Sequence, residues 1–229
     1  MKYLTSLIIV TFFFRLTILP VNAQSTNYAL RFYGNGVNDI DRVKIPLLNQ
    51  QQETPVNIGA QDFTIEWWMS ASQNDNPAQN CFSSNDAWIN GNVIIDRDIY
   101  GGGDFGDYGI SLMGGRIAFG VSQGNSGTTL CSSTSVLDNN WHHIAVTRRI
   151  SDGRLQIYID GTLSSQANGP TGDIRYNPNR STSFANSDPF LVLGAEKHDA
   201  GSEYPSYKGL IDELRISNSL RYTNNFSRP

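Results

Sequence analysis

Between Asp62 and Ser70 the chain reads Asp-Phe-Thr-Ile-Glu-Trp-Trp-Met-Ser, with Phe63, Ile65, Trp67 and Met69 at every second position. A period of two is the spacing of side chains on one face of a β-strand, so four bulky groups point into a core here. The other parity carries Thr64, Glu66, Trp68 and Ser70, which leaves one large aromatic among polar neighbours on the face away from that core.

The same period recurs along the chain. Tyr28, Leu30 and Phe32 alternate with Ala29, Arg31 and Tyr33 before Gly34-Asn35-Gly36 ends the run, and Val43, Ile45 and Leu47 alternate with Arg42, Lys44 and Pro46. A proline cannot donate to a ladder, so Pro46 predicts an edge strand or a strand end. Gln73 to Asn92 is rich in Asn, Ser, Asp and Pro and reads as a long surface excursion, followed by a short buried strand over Val93 to Asp96. Ile110 and Leu112, then Ile117, Phe119 and Val121, flank Gly114-Gly115, a two-residue hairpin signal. Trp141 to Arg149 is apolar on both parities near its centre, as a central strand is, and pairs across Asp152-Gly153 with Leu155, Ile157 and Ile159. A second polar region is expected over Ser164 to Asp188, then two last strands at Phe190 to Leu193 and Leu210 to Ser217. No segment after residue 23 shows a 3.6-residue apolar period, and turn signals recur throughout, which points to an all-β antiparallel sandwich or jelly roll.

The first 23 residues read differently. An apolar run from Leu4 to Val21, divided by Arg15, ends at Val21-Asn22-Ala23, the pattern of a cleaved secretory signal; neither half approaches the roughly 20 residues of a membrane span. Residues 24–229 are then one domain, secreted or on the cell surface. Without Lys2 and Arg15 it holds 15 basic against 21 acidic residues, a net of −6, which gives nucleic acid no electrostatic support. Cys81 and Cys131 suit the single disulfide of an exported domain, with two buried free thiols as the alternative.

Five segments resemble laminin G-like domains of the concanavalin A-like superfamily in order and separation: Tyr28-Ala-Leu-Arg-Phe-Tyr-Gly-Asn-Gly, Asp62-Phe-Thr-Ile-Glu-Trp-Trp-Met, Trp141-His-His-Ile-Ala-Val-Thr-Arg, Leu155-Gln-Ile-Tyr-Ile-Asp-Gly and Gly209-Leu-Ile-Asp-Glu-Leu-Arg-Ile-Ser. The match runs from about Asn27 to Tyr222. It implies two packed antiparallel sheets and a family that mostly binds glycans or proteins outside cells. Relatives tend to continue with a further strand beyond this point, so the chain is expected to be a fragment or to replace that strand.

The superfamily also implies an ion, commonly calcium, between the first loop and the last strand. Leu210, Asp212, Leu214 and Ile216 share one parity, which sets Asp212 among apolar neighbours if that parity faces the core; burying it unpaired would cost several kcal/mol. A structural calcium held by Asp212 and Asp39, with Asn38 and backbone oxygens of the first loop, is one answer; hydrogen bonds from backbone amides at a strand end are the other.

For ligand contact the candidates are exposed aromatic faces: Trp68 on its strand, and Trp88, Tyr100, Phe105, Tyr204 and Tyr207 in the long loops. Catalysis finds less support. Retaining glycosidases need two carboxyl groups about 5 Å apart, yet Asp212 and Glu213 are adjacent and diverge on a strand, and Glu66 has no acidic partner two residues away. Asp96 and Asp98 do have that spacing, but with Arg97 between them and a glycine turn following they read as a charged strand end. The expected function is a non-catalytic binding module for an extracellular glycan or protein. The alternatives are a polysaccharide hydrolase or lyase of the same superfamily, and an adhesion or scaffold module of a larger surface protein.

Overall fold

The computed structural model describes residues 28–34, 40–101, 104–105, 107–179 and 182–229; the expected signal segment lies outside them. Twelve strands build two six-stranded antiparallel sheets. In chain order they are β1 (Leu30–Tyr33), β2 (Val43–Pro46), β3 (Phe63–Ser70), β4 (Asn92–Arg97), β5 (Tyr108–Met113), β6 (Arg116–Gln123), β7 (Ser126–Cys131), β8 (His142–Arg149), β9 (Arg154–Ile159), β10 (Thr162–Asn168), β11 (Phe190–Leu193) and β12 (Lys208–Ser217). One sheet has the order β1-β12-β3-β8-β9-β10 and the other β7-β6-β5-β4-β11-β2. No described helix is long and apolar enough to cross a membrane.

The core lies between the sheets. Phe63, Ile65, Trp67 and Met69 are fully buried there, against Ile110, Leu112, Ile117 and Phe119 of the facing sheet. Each large apolar side chain buried this way contributes about 1.5–3 kcal/mol. Gly114 and Gly115 take φ of 53° and 83°, the left-handed pair a two-residue hairpin requires, and join β5 to β6. Pro46 ends β2, an edge strand that pairs with β11 alone.

Two departures from the sequence pattern have one cause. The polar region expected from Ser164 to Asp188 contains most of β10, and Ser126–Cys131 forms β7; both are sheet edges. An edge strand with solvent beside it needs no apolar face, so its sequence shows little alternation.

The outer faces are covered as well. On the second sheet Gly109 of β5 and Gly120 of β6 are paired in register, and the Trp88 indole lies over both. Trp88 sits in a short 3-10 turn, Ala87–Asn90, and forms a small cluster with Val93, Met113 and Ala118. Cys81, which packs on this cluster, is bonded to Cys131 of β7 with Cα atoms 6.0 Å apart. On the first sheet residues 218–229 cross the outer face without forming a strand. Tyr222 and Phe226 stack at 3.5 Å, and Phe226 meets the edges of Tyr158 and His143. Glu66, expected on the polar side of β3, is therefore buried beneath Arg221 (Nε–Oε1 2.7 Å) and Tyr222 (Oη–Oε2 2.5 Å).

Candidate functional site

The tail leaves one part of the first sheet open. His143, Trp68 and Asp212 stand side by side on β8, β3 and β12. A groove of about 450 Å³ forms there, lined by Tyr28, Trp68, Trp141, Asp212, Glu213 and Pro229 together with Ala29. Tyr28 and Trp141 are strongly exposed, at 79% and 41%. Trp68 is half-buried, its ring edge-on to His143 at 5.4 Å and under the Arg228 guanidinium at 5.7 Å. The groove thus presents three aromatic rings beside two carboxylates, with the ring of Trp68 held in place from two sides.

Asp212 reaches this groove through a break in β12. The register slips between Asp212 and Arg215, and Glu213 adopts a left-handed φ of 48°. The Glu213 amide donates to Asp212 Oδ1 at 2.8 Å, which ties the bulge to the side chain that begins it. Before the bulge Ile211 faces the core; after it Leu214 and Ile216 do. The parity that set Asp212 among apolar neighbours is therefore corrected: a bulge inserts a residue and turns the strand over, and Asp212 points outward. Strained backbone of a non-glycine residue beside an open groove is a common mark of a functional site.

Of the residues expected to hold calcium, Asn38 and Asp39 lie outside the described residues, and Asp212 lines the groove beside Glu213.

The loop aromatics divide. Trp88 is not a ligand surface: its ring fills the slot left by Gly109 and Gly120 and is 2% exposed. Nor is Tyr207, which is fully buried, packs edge-on against Phe32 and donates its hydroxyl to Leu210 O at 2.9 Å. The Phe105 side chain lies outside what is described. Tyr100, 51% exposed, and the half-buried Tyr204 line a second cavity of about 240 Å³ with Ile89, Phe184 and the titratable side chains of Asp98, Glu196, His198 and Asp199.

That second cavity borders a buried charge cluster. Asp96, of the pair read as a strand end, is held by amides of Asp98 (2.7 Å) and Lys197 (2.8 Å), a structural role. Asp98 is buried and pushed up to about 8, first by burial and then by the charge of Asp96. His198 is lifted to about 9: burial opposes its charge, but hydrogen bonds to Asp188 and Glu196 outweigh it. Sequence reasoning passed over Trp141, Glu196 and His198 as site residues. An alternation test could not find them, because Trp141 precedes its strand and Glu196-Lys-His-Asp199 follows one.

A family model for the concanavalin A-like lectin/glucanases superfamily matches residues 49–223. No curated protein sequence matches the chain. Among solved structures, the CBM40 module of the Ruminococcus gnavus IT-sialidase, bound to α2,3 sialyllactose, is similar over 86% of this chain and 92% of its own, at 12% identity and a TM-score of 0.52. Domains LG4-5 of the mouse laminin α1 chain are similar over 83% of this chain at 14% identity and a TM-score of 0.50; the match spans 42% of that structure. At such identities the likeness is one of fold.

Proposed function

The chain belongs to the concanavalin A-like lectin/glucanase superfamily, and from that premise we propose that it is a secreted, non-catalytic module that binds extracellular carbohydrate through the groove between Trp68 and Trp141. The observation that carries the reading is the pairing of Trp68 with Asp212 under the exposed rings of Trp141 and Tyr28. A pyranose ring has an apolar C–H face that stacks on an aromatic surface and an edge of hydroxyls that donate to carboxylates; the groove supplies both. A solved structure of the same fold holds sialyllactose, which supports a glycan as the class of ligand. Export is supported by the apolar residues 4–21 and by the Cys81–Cys131 disulfide, since such bonds persist in oxidising compartments.

A glycan array run alongside a reducing-sugar release assay tests the reading. Saturable binding without turnover, abolished in Trp68→Ala, is the expected result. Release of reducing ends would put the protein among the hydrolases or lyases, and silence on every glycan would leave a protein partner or a scaffold role.

A further inference from the structure

Three side chains of metal-ligating type line the second cavity side by side. His198 Nδ1 lies 3.2 Å from Glu196 Oε1 and 3.6 Å from Asp98 Oδ2, and the three donor atoms fall within 4.8 Å of one another. Among the described residues this is the one such grouping of three His, Cys, Asp or Glu side chains. We propose that Asp98, Glu196 and His198 form a binding site for a divalent transition-metal ion of the zinc class, with an open coordination position facing the cavity of Tyr100 and Tyr204.

Each ligand is aimed by what surrounds it. The other ring nitrogen of His198, Nε2, meets Asp188 Oδ1 at 2.8 Å, the carboxylate–histidine arrangement of metal-binding imidazoles, and turns Nδ1 toward Glu196 and Asp98, where a metal ion would take the place of its proton. Phe184 stacks on the imidazole at 4.3 Å and sets its plane. Glu196 Oε2 accepts the amides of His198 (2.7 Å) and Asp199, so Oε1 is the oxygen left toward the cluster. Asp98 is the independent sign of a missing partner. Its side chain is 6% exposed, its backbone amide is engaged by Asp96, and among the described residues the group nearest its carboxylate is the His198 imidazole at 3.6 Å, too far for a hydrogen bond. A buried carboxyl directed into a cavity without a donor either keeps its proton or is completed by a cation, and a metal ion bound there would displace that proton.

The neighbouring cations are used elsewhere. Arg97 pairs with Asp107 at 2.9 Å, and Lys197 Nζ meets the carbonyls of Asp188 and Phe190 at 3.4 and 3.3 Å. One imidazole nitrogen with two carboxylate oxygens suits zinc and its neighbours better than calcium, which takes six to eight oxygens. Three protein ligands also leave a fourth tetrahedral position, as in zinc sites that exchange a ligand. That position opens toward two tyrosines, so an oxygen donor, water or a ligand hydroxyl, would complete the shell.

The test uses untagged full-length protein after chelator dialysis, titrated calorimetrically with Zn²⁺ and, in parallel, with Ca²⁺. The expected result is one Zn²⁺ per chain, a higher melting temperature with Zn²⁺, and loss of tenfold or more in affinity in Asp98→Asn and His198→Gln. Asp188→Asn, which removes only the group behind the imidazole, should weaken binding by about 10–100-fold. It serves where the direct variants fold poorly. His142→Gln, remote from the cavity, should bind as wild type. Absence of stoichiometric Zn²⁺ binding would overturn the proposal, as would affinity unchanged in Asp98→Asn and Asp188→Asn, or Ca²⁺ binding as tight as Zn²⁺ that survives in His198→Gln.

Discussion

Trp68 and Asp212 stand directly opposite each other on β3 and β12, and the bulge that starts at Asp212 lets the rest of β12 return Leu214 and Ile216 to the core. The outward aromatic and the outward carboxylate are therefore one feature. If the groove binds a glycan, Trp68→Ala and Trp141→Ala should each weaken binding by tenfold or more, about 1.4 kcal/mol, while Asp212→Asn weakens it less. Calorimetric titration of the ligand identified on an array measures this. Equal affinity in both tryptophan variants, with melting temperatures unchanged, would remove the groove from the function.

Much of the fold was legible because the core strands bury one face each. Phe63, Ile65, Trp67 and Met69 declare their orientation by alternation alone, and Gly114-Gly115 declares a turn by its backbone freedom. Alternation failed where the burial was not one-sided or the strand was interrupted. Glu66 looks solvent-facing until the tail covers it, and β10 at the sheet edge looks like a loop. Asp212 was misread for a different reason: parity counts residues, and a bulge adds one. The site residues contributed by loops, Trp141 and His198, have no period to betray them.

Trp88 lies over paired glycines, so a methyl group at Gly120 would overlap the indole ring. Gly120→Ala is expected to destabilise the protein by about 1–3 kcal/mol through overpacking. Gly124→Ala is a control for added bulk, since nothing lies near its Cβ position, although its φ of 56° carries a strain cost of its own. Denaturant unfolding that found Gly120→Ala as stable as wild type would mean that Trp88 is not seated in this slot.

The disulfide closes a loop of 50 residues, from Cys81 beside the Trp88 cluster to the end of β7. Constraint of the unfolded chain by a loop of that length gives up to about 4 kcal/mol. The double variant Cys81→Ala/Cys131→Ala should lose a large part of it, and reductant should lower the melting temperature of the wild type alone. Identical melting of wild type and variant under oxidising conditions would be inconsistent with the bond.

His142 offers both ring nitrogens to carboxylates: Nδ1 lies 2.8 Å from Asp160 Oδ2 and Nε2 lies 3.0 Å from Asp138 Oδ1. A neutral imidazole has one N–H, so only the charged ring can donate to both. Burial opposes that charge, yet the hydrogen bonds to Asp160 and Asp138 prevail and raise the affinity of His142 for its proton above the ordinary histidine value. Asp138, held at about 2 chiefly by hydrogen bonds from Asn140, stays ionised throughout. A group whose proton affinity is raised by folding contributes stability that is complete below its unfolded value near pH 6.5 and is lost as pH climbs through the raised one. The melting-temperature gap between wild type and His142→Gln should thus be widest below about pH 6.5 and narrow as the pH rises above it. Because the group is partly exposed, the gap should correspond to about 1 kcal/mol or less. A gap that stays constant across this range, or widens with pH, would show that the imidazole binds its carboxylates in the neutral form, through one nitrogen at a time.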